Sequence, residues 1–346
     1  MIFQRGRTRT MAVGVVPRGG ERGHDVIPSL GRVRSLLFGI PRRAWAFDRL
    51  GFQPAEPGVH AHLQRILASF VEGFHATLED SRPEVLLPRL AALTPEYLGF
   101  SYEGVGLCLA AFDLLTPWKR DRWQAFRDGP GKPHCFLLHV GYGLALARLG
   151  RPASEALNRL ADSDDRWLAI DGYGFYQGFF HWHQFAERHS RPARLKGFAA
   201  RVFDQGLGRC LWFGCGADID RIARTVAAFP PVRHPDLWCG LGVAATYAGG
   251  CGEPELRALL DRAAGHRAHF RQGCVFATKL RHHAGNVVAH TRLACRVLSG
   301  LSVEEAVRLV DSARESLPPE RPDLPNYEAL RRRVQDQLTS SMELHS

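Results

Sequence analysis

Apolar residues recur at spacings of three and four along most of this 346-residue chain. The first clear case begins at His60 and places six apolar side chains on one face of a helix: Leu63, Ile66, Leu67, Phe70, Val71 and Phe74. Similar segments follow as far as residue 316, separated by breakers such as Gly129–Pro130 and Pro230–Pro231. No segment shows the alternation that is typical of a β-strand. The pattern predicts an all-α protein.

Glycines recur inside these apolar helices at a regular period. Counted from the first glycine of each group, the steps are 37, 31, 34, 34 and 33 residues; the groups are Gly104/Gly106, Gly141/Gly143, Gly172/Gly174, Gly206/Gly208, Gly240/Gly242 and Gly273. A step of about 34 residues is the length of one helix-turn-helix unit and the period of tetratricopeptide repeats. We therefore expect a superhelical array of helix-turn-helix repeats, tetratricopeptide-like, in which the glycines allow neighbouring helices to approach closely.

The charged residues are distributed unevenly and divide the chain into three parts. The net charge is +10, from 45 Lys and Arg against 35 Asp and Glu, and residues 1–49 alone contribute +7. We expect residues 1–28, which are rich in Gly and Arg, to form a disordered basic arm. Residues 29–317 then form a single α-helical repeat domain, and residues 318–346 a polar C-terminal tail with a short helix. Because the charge lies mostly in the arm, we expect no nucleic-acid binding, and the arm is suited to weak contact with a membrane surface.

Cysteine, histidine and hydropathy patterns exclude several other classes of protein. The eight cysteines form no CxxC pair and mostly lie in apolar runs, which is typical of buried thiols in a reducing cytoplasm. The 16 histidines form no HExxH motif, so we expect no metal site. There is no nucleotide or flavin fingerprint, and we expect no cofactor. No apolar run reaches the length of about 18 residues that indicates a transmembrane helix, and we expect a cytoplasmic protein.

Polar residues directly precede most of the recurring glycines. The six positions are Glu103, Val140, Asp171, Gln205, Cys239 and Gln272, and four of them are polar within otherwise apolar helices. Equivalent positions of a repeat array lie on one surface. This polar row either belongs to the wall of a ligand groove or supplies hydrogen bonds between helices, and the sequence leaves both interpretations open. Other polar residues near the row are His139, His181, Asp204, Arg209 and His290.

Two segments combine the polar row with aromatic residues. In Asp171–His183 the acid lies ten residues before His181, almost three helical turns, so a proton transfer between them needs a partner from another repeat. In Phe203–Phe213 the apolar helix contains Arg209, which requires a carboxylate or a ligand anion. The aromatic residues that are suited to bury an apolar ligand are Phe175, Phe179, Trp182 and Trp212.

Seven segments resemble the UnbL-type proteins of bacterial enediyne biosynthesis, in order and with matching spacing over residues 29–317. They are SLLFGIP (35–41), LTPWKRDRWQAF (115–126), HVGYGLALARL (139–149), DGYGFYQGFFHW (171–182), FDQGLGRCLWF (203–213), DLWCGLGVAATYAGG (236–250) and GNVVAHTRLACRVLSGLS (285–302). Such proteins are encoded beside an iterative enediyne polyketide synthase, together with UnbV-type and UnbU-type companions. The resemblance implies a role in converting a linear conjugated polyene into the enediyne core. The family has no established active site, so no catalytic residue is carried over.

Together, the residues and the resemblance predict an accessory protein that binds a conjugated polyene intermediate and helps to tailor it. Whether it is itself an enzyme stays open. Its expected partners are the polyene, the enediyne polyketide synthase and the UnbV/UnbU-type proteins. The candidate catalytic residues are Asp171, His181, Asp204 and Arg209. The candidate ligand-binding residues are Glu103, His139, Phe175, Phe179, Trp182, Gln205, Trp212, Gln272 and His290.

The alternative hypothesis is a non-catalytic helical-repeat adaptor that docks the synthase or its companions. The two hypotheses predict different surfaces. A closed, aromatic-lined pocket that meets the polar row favours polyene tailoring, whereas an open concave face favours the adaptor.

Overall fold

The computed structural model describes residues 31–343, apart from 32–33, 35–37, 42–43, 54, 117, 119–120, 162, 318–319 and 322. The described residues form α-helices joined by short 3-10 and π-helical turns, with no β-strand among them, which confirms the all-α prediction. The predicted basic arm, residues 1–28, lies outside the described residues. The fifteen α-helices of the described part are α1 (Pro57–Glu79), α2 (Pro83–Ala91), α3 (Pro95–Leu115), α4 (Arg122–Asp128), α5 (Cys135–Arg148), α6 (Ser154–Arg159), α7 (Trp167–Phe180), α8 (Gly197–Gly214), α9 (Ile219–Ala228), α10 (His234–Tyr247), α11 (Glu253–Ala263), α12 (Arg267–His283), α13 (Ala289–Ala294), α14 (Val303–Glu315) and α15 (Asn326–Glu343).

Local sequence signals fix where several helices begin. Proline occupies the first turn of α1, α2 and α3, where its missing N–H group is not needed. Asp218 caps α9 by accepting a hydrogen bond from the backbone N–H group of Arg221 at 2.8 Å. Ser302 and Glu305 form a capping box at the start of α14. These caps end the connecting segments and so determine where the next helix starts.

Seven long helices, α1, α3, α5, α7, α8, α10 and α12, pack in chain order, each against the next. Glycines allow these contacts to be close. A methyl group on Gly206 would overlap the backbone oxygen of Asp171, and one on Gly240 would overlap the backbone oxygen of Gln205. In both contacts, the glycine of one helix lies against the residue that precedes the glycine of the helix before it. Polar positions of adjacent helices therefore become neighbours.

The end of this series of helices contacts its beginning. Arg281 of α12 is fully buried, and its Nη2 atom donates to the backbone oxygens of Glu96 in α3 (3.0 Å) and Tyr247 in α10 (2.5 Å). Its guanidinium group lies 4.2 Å from the centroid of the Tyr247 ring, which packs edge-on against Phe100 of α3. These contacts enclose an interior space between α3, α5, α7, α8, α10 and α12.

The last helix, α15, packs into this interior, which differs from the predicted polar tail. Its buried apolar residues recur at spacings of three and four: Tyr327, Leu330, Val334 and Leu338. The fully buried Arg331 pairs with Asp236 of α10 at 2.6 Å. The sequence predicts a polar tail because charged residues stand between the apolar residues of this segment. The apolar residues nevertheless share one face of the helix, and this face is the one that is buried. The folded unit therefore extends through α15.

Helix α3 has the length and apolar character of a membrane-spanning helix. In its most apolar window, 78% of the residues are buried inside the protein. This burial is what a central core helix also shows, since α3 packs between α1 and α5.

Candidate functional site

A cavity of about 270 Å³ lies in the interior, bounded by α3, α5, α7, α8, α10, α12, α14 and α15. We call it the first cavity. Its wall is mostly apolar and includes Phe136, Phe213, Tyr247, Phe276 and Leu330. Its volume is close to the lower end of the range of about 300–1,000 Å³ that small-molecule sites occupy, and such sites also have mostly apolar walls with few polar groups.

Arg209 is the centre of a buried polar cluster in the wall of the first cavity. Its Nη1 atom donates to Oδ1 of Asp171, and its Nη2 atom donates to Oε1 of Glu103 at 3.1 Å. Gln205 donates to the other oxygen of Asp171 at 2.9 Å. The four side chains, which we call the Arg209 cluster, all line the cavity. The need of Arg209 for a carboxylate partner, predicted from the sequence, is thus met twice.

The charges of the Arg209 cluster are unequal, because one guanidinium group serves two carboxyl groups. Burial raises the pKa of Glu103 to about 7; the Arg209 guanidinium opposes this rise and the Asp171 carboxylate adds to it. Burial disfavours the charged form of Arg209, yet the two carboxylates hold its pKa above the usual range. Near neutral pH, Glu103 can therefore exchange a proton while Arg209 stays charged, which is what a general acid or base requires.

A second cavity of about 40 Å³ adjoins the first. The two share four lining residues, which are Phe100, Glu103, Arg209 and Phe213. Aromatic rings dominate the wall of this second cavity. The guanidinium group of Arg209 lies 5.1 Å from the centroid of the Phe175 ring, which stacks on the ring of Phe179 at 5.6 Å. The Glu103–Arg209 pair therefore stands between two apolar chambers.

The polar row continues from the first cavity to α15 as a chain of hydrogen bonds. Gln205 Nε2 donates to the hydroxyl oxygen of Tyr327 at 3.2 Å. Cys239 Sγ lies within hydrogen-bond reach of the side-chain oxygens of Gln205 (3.4 Å) and Gln272 (3.2 Å) and can donate its one proton to either of them. Arg331 also donates to Gln272 at 3.4 Å. Burial raises the pKa of the Cys239 thiol to about 12, so it remains a donor. One part of the row therefore lines the cavity, and the other part joins helices through hydrogen bonds.

Two ion pairs that involve α14 also line the first cavity. Lys279 lies 2.6 Å from Asp311, and Arg314 lies 3.3 Å from Asp165. The side chains of Asp311 and Arg314 are each 43% exposed. The cavity therefore meets solvent at this side, whereas the Arg209 cluster is buried.

Among the four candidate catalytic residues, Asp171 and Arg209 meet in the cavity and His181 does not. Helix α7 ends at Phe180, and His181 is an exposed residue at its C-terminus. The helix continues far enough to carry Asp171 into the interior but ends where the chain reaches the surface. Asp171 is instead placed beside Arg209, which also contacts Glu103.

Asp204 is fully buried but belongs to two other ion pairs. It is paired with Arg233 at 2.6 Å and with Arg191. Residues 204 and 205 differ by about 100° around helix α8, so Asp204 cannot share the inward direction of its neighbour. Its pairs tie α8 to the loop before it and to the start of α10, which is a structural role.

The candidate ligand-binding residues divide by position. Those that line the first cavity are Glu103 and Gln205, and Glu103 also lines the second cavity with Phe175 and Phe179. Those that line neither are His139, Trp182, Trp212, Gln272 and His290.

Each of these last five has another partner. His139 Nδ1 lies 2.8 Å from the backbone oxygen of Cys135, Trp212 donates to that of Gly249 at 3.0 Å, and His290 Nε2 lies 3.1 Å from that of Tyr247. Trp182 packs against Phe52 at 5.3 Å, and Gln272 accepts hydrogen bonds beneath α15. Burial lowers the pKa of His290 to about 4, so it is neutral at physiological pH.

Several cavity residues are not among the candidates from the sequence. Phe213 lies four residues after Arg209, one helical turn along the same face, so its position is readable from the spacing. Tyr327 and Leu330 belong to the apolar face of α15, which is a usable signal. Tyr247 and Phe136 come from helix ends that only the tertiary structure brings together.

Metal-ligand geometry and cysteine pairing add no further site. In the part of the chain that the structure describes, no group of three or more His, Cys, Asp or Glu is placed to hold a metal ion. All eight cysteines are free thiols. The polar groups of the first cavity are carboxyl, guanidinium, ammonium, imidazole, amide and phenol groups.

One family model matches most of the chain. Residues 29–338 match the family described as protein of unknown function, DUF1702. This range contains every residue of the Arg209 cluster and most of α15. Comparison with curated proteins and with solved structures finds no match.

Proposed function

Because the chain belongs to the DUF1702 family of proteins of unknown function, the site itself has to indicate the activity, and we propose that the protein binds a conjugated polyene in the first cavity and helps to tailor it into an enediyne core. The observation that carries this proposal is an apolar cavity whose wall contains the buried Arg209 cluster. In this proposal the enediyne polyketide synthase supplies the polyene, and UnbV-type and UnbU-type proteins act with it.

The wall of the first cavity suits a flat apolar molecule. Phe136, Phe213 and Phe276 present aromatic surface, and a conjugated polyene is apolar along its whole length. Each 100 Å² of apolar ligand surface that leaves water contributes about 2.5 kcal/mol. Binding by burial therefore requires few hydrogen bonds, which agrees with a wall whose surface is mostly apolar.

The Arg209 cluster provides a place where a proton can be transferred. Glu103, with its pKa near 7, can give a proton to the ligand or take one from it. Arg209 stays charged and stabilises negative charge that develops nearby. Asp171 holds Arg209 in place and is a positioning residue in this proposal.

The adaptor hypothesis expects an open concave face, and the interior of the described part is arranged differently. Helix α15 occupies it, with Tyr327 and Leu330 in the cavity wall. A cavity in the interior, and not an open concave face, favours a small ligand over a docked protein.

The architecture we propose for this site is the tetratricopeptide-like superhelical array with a period of about 34 residues. The contacts of Gly206 and Gly240, which are 34 residues apart, support it. Both glycines meet the same backbone position of the preceding long helix.

Polyene binding is tested with diphenylhexatriene, a neutral conjugated probe whose fluorescence rises in apolar surroundings. Leu280 is partly buried and lines the first cavity, so Leu280→Trp reduces the free space. We expect its dissociation constant to be at least tenfold higher than that of the wild type. Leu260→Trp is the matched control, because Leu260 is partly buried on α11 and lines neither cavity. Equal affinities of the two variants would contradict binding in this cavity.

Tailoring is tested in a producing bacterium by analysing the polyene products of Asp171→Asn and Glu103→Gln variants. We expect untailored polyene to accumulate, because the first change removes a charged partner of Arg209 and the second removes the proton-exchanging group. Arg257→Gln, an exposed change on α11, is the control. An unchanged product profile from folded Asp171 and Glu103 variants would refute the tailoring role, whereas the probe titration decides binding separately.

A further inference from the structure

The second cavity contains hydrogen-bond donors that the Arg209 cluster does not use. Arg148, the last residue of α5, and Trp45 both line it. The indole nitrogen of Trp45 is buried and has no hydrogen-bond partner among the described residues. A buried N–H group without an acceptor is costly, so such a group in a cavity wall indicates an acceptor that the ligand brings.

Arg148 supplies a positive charge to the same cavity. No carboxylate in the described part of the chain pairs with it; its guanidinium group lies 5.8 Å from the centroid of the Phe74 ring. The phenol group of Tyr176 is near enough for Arg148 to oppose the rise of its pKa that burial causes. Arg34 and Arg148 act in the same way on the pKa of the buried Cys108 thiol.

We propose that this end of the second cavity binds a carboxylate, and hence that the protein takes up its polyene as a free carboxylic acid. The inference rests on the proposed function. A guanidinium group and an indole N–H group are both donors that a carboxylate can accept. The second cavity, of about 40 Å³, is much smaller than the first, of about 270 Å³, so it suits the polar end of a ligand and not the length of a polyene.

The Arg209 cluster cannot serve as the carboxylate site. Both terminal nitrogens of Arg209 already donate to carboxylates, those of Asp171 and Glu103. A ligand carboxylate there would be a third acid beside one guanidinium group, and like charges repel at this distance. The acid end of the ligand is therefore directed to Arg148.

The shared wall of the two cavities defines how such a ligand would lie. With its carboxylate at Arg148, the ligand would meet the wall that the two cavities share, formed by Phe100, Glu103, Arg209 and Phe213, and extend towards the first cavity. This path brings the middle of the polyene past Glu103 and Arg209. The proton-exchanging group then faces carbon atoms of the chain and not its acid end.

The experiment compares parinaric acid, a fluorescent conjugated tetraene acid, with its methyl ester. Both are titrated at pH 7.5 into the wild type, Arg148→Gln, Trp45→Phe and the exposed control Arg257→Gln. We expect the wild type to bind the acid at least tenfold more tightly than the ester. Arg148→Gln should lose at least tenfold in affinity for the acid and stay within twofold for the ester. Trp45→Phe keeps a ring and removes the donor, so it should lose a smaller factor for the acid alone.

The outcomes separate this inference from the proposed function. Equal binding of acid and ester by the wild type, or equal weakening of both by Arg148→Gln, overturns the carboxylate site and leaves polyene binding intact. Failure of the wild type to bind either probe removes the proposed function and the inference with it. Ester binding by each variant also shows that the variant is folded.

Discussion

Replacing Glu103 by glutamine tests the charge state of the Arg209 cluster, because it removes the titrating group and keeps its size. Glu103 is 4% exposed, and burial raises its pKa from the ordinary value of 4.5 to about 7. In the unfolded chain the solvated carboxyl group loses its proton near pH 4.5. Between these two pKa values, the folded protein holds a proton that the unfolded chain has lost.

The sign of the effect on stability follows from this difference. Where the folded state binds more protons than the unfolded state, the free energy of unfolding falls as pH rises, by about 1.4 kcal/mol per pH unit for one proton. From pH 4.5 to about 7 this amounts to about 3 kcal/mol for Glu103. Glutamine does not titrate, so the variant lacks this loss. The free energy of unfolding of Glu103→Gln, minus that of the wild type, should therefore increase by about 3 kcal/mol between pH 4.5 and 8.

The assay is urea denaturation followed by circular dichroism at several pH values in this range, for the wild type and Glu103→Gln. Loss of the charge-assisted hydrogen bond to Arg209 adds a constant offset, whereas the proton adds the pH-dependent part. Glu253→Gln, at the half-exposed start of α11, serves as the matched control. A difference between Glu103→Gln and the wild type that stays constant with pH would show that Glu103 keeps no proton, and the assignment of a general acid or base would fall.

Three further substitutions test other contacts. Asp204→Asn leaves the buried Arg233 without its carboxylate and should lower the free energy of unfolding by about 3 kcal/mol, measured by urea denaturation. The affinity for diphenylhexatriene should stay within twofold of the wild type, and a large loss of affinity would place Asp204 in the binding site. Gly240→Ala places a methyl group against the backbone oxygen of Gln205 and should lower the free energy of unfolding by about 2 kcal/mol, seen as a lower melting temperature. An unchanged melting temperature would argue against the close approach of the two helices. Tyr327→Phe removes a hydroxyl group that accepts a hydrogen bond from Gln205 at 3.2 Å and should lower the free energy of unfolding by about 1 kcal/mol. Amide hydrogen exchange in α15 should become faster, and unaltered exchange would show that this hydrogen bond does not hold the helix in place.

The helical class and the inward polar residues could be predicted because both depend on short-range spacing. The apolar period specifies helices, and the glycine period specifies which side of each helix meets its neighbour. Glu103, Asp171 and Gln205 precede glycines that lie in such contacts, and they line one cavity. The glycine spacing therefore identifies cavity residues as far apart in the sequence as Glu103 and Gln205.

His181 and α15 show that residue spacing alone does not determine which residues of a helix reach the interior. The sequence places His181 in the same apolar segment as Asp171, but only the end of α7 at Phe180 decides that it reaches the surface. The four apolar residues of α15 indicate a helix face, but not the interior that receives it, because that interior is formed by helices from the whole chain. The raised pKa of Glu103 likewise depends on burial by helices that are distant in the sequence, and the group that opposes the rise, Arg209, lies 106 residues away.

The residues that fix the positions of the long helices differ from the residues that line the first cavity. Gly206 lies against the main-chain oxygen of Asp171, and Gly240 against that of Gln205. The close contacts are therefore with the backbone of these residues and not with their side chains. The position before each glycine can therefore change identity while the helix stays in place. Val140 already shows such a change, since it is an apolar cavity residue at the position where other helices carry Glu103 or Asp171. Exchanging one inward residue per helix would therefore change the lining of the first cavity while the glycine contacts stay in place.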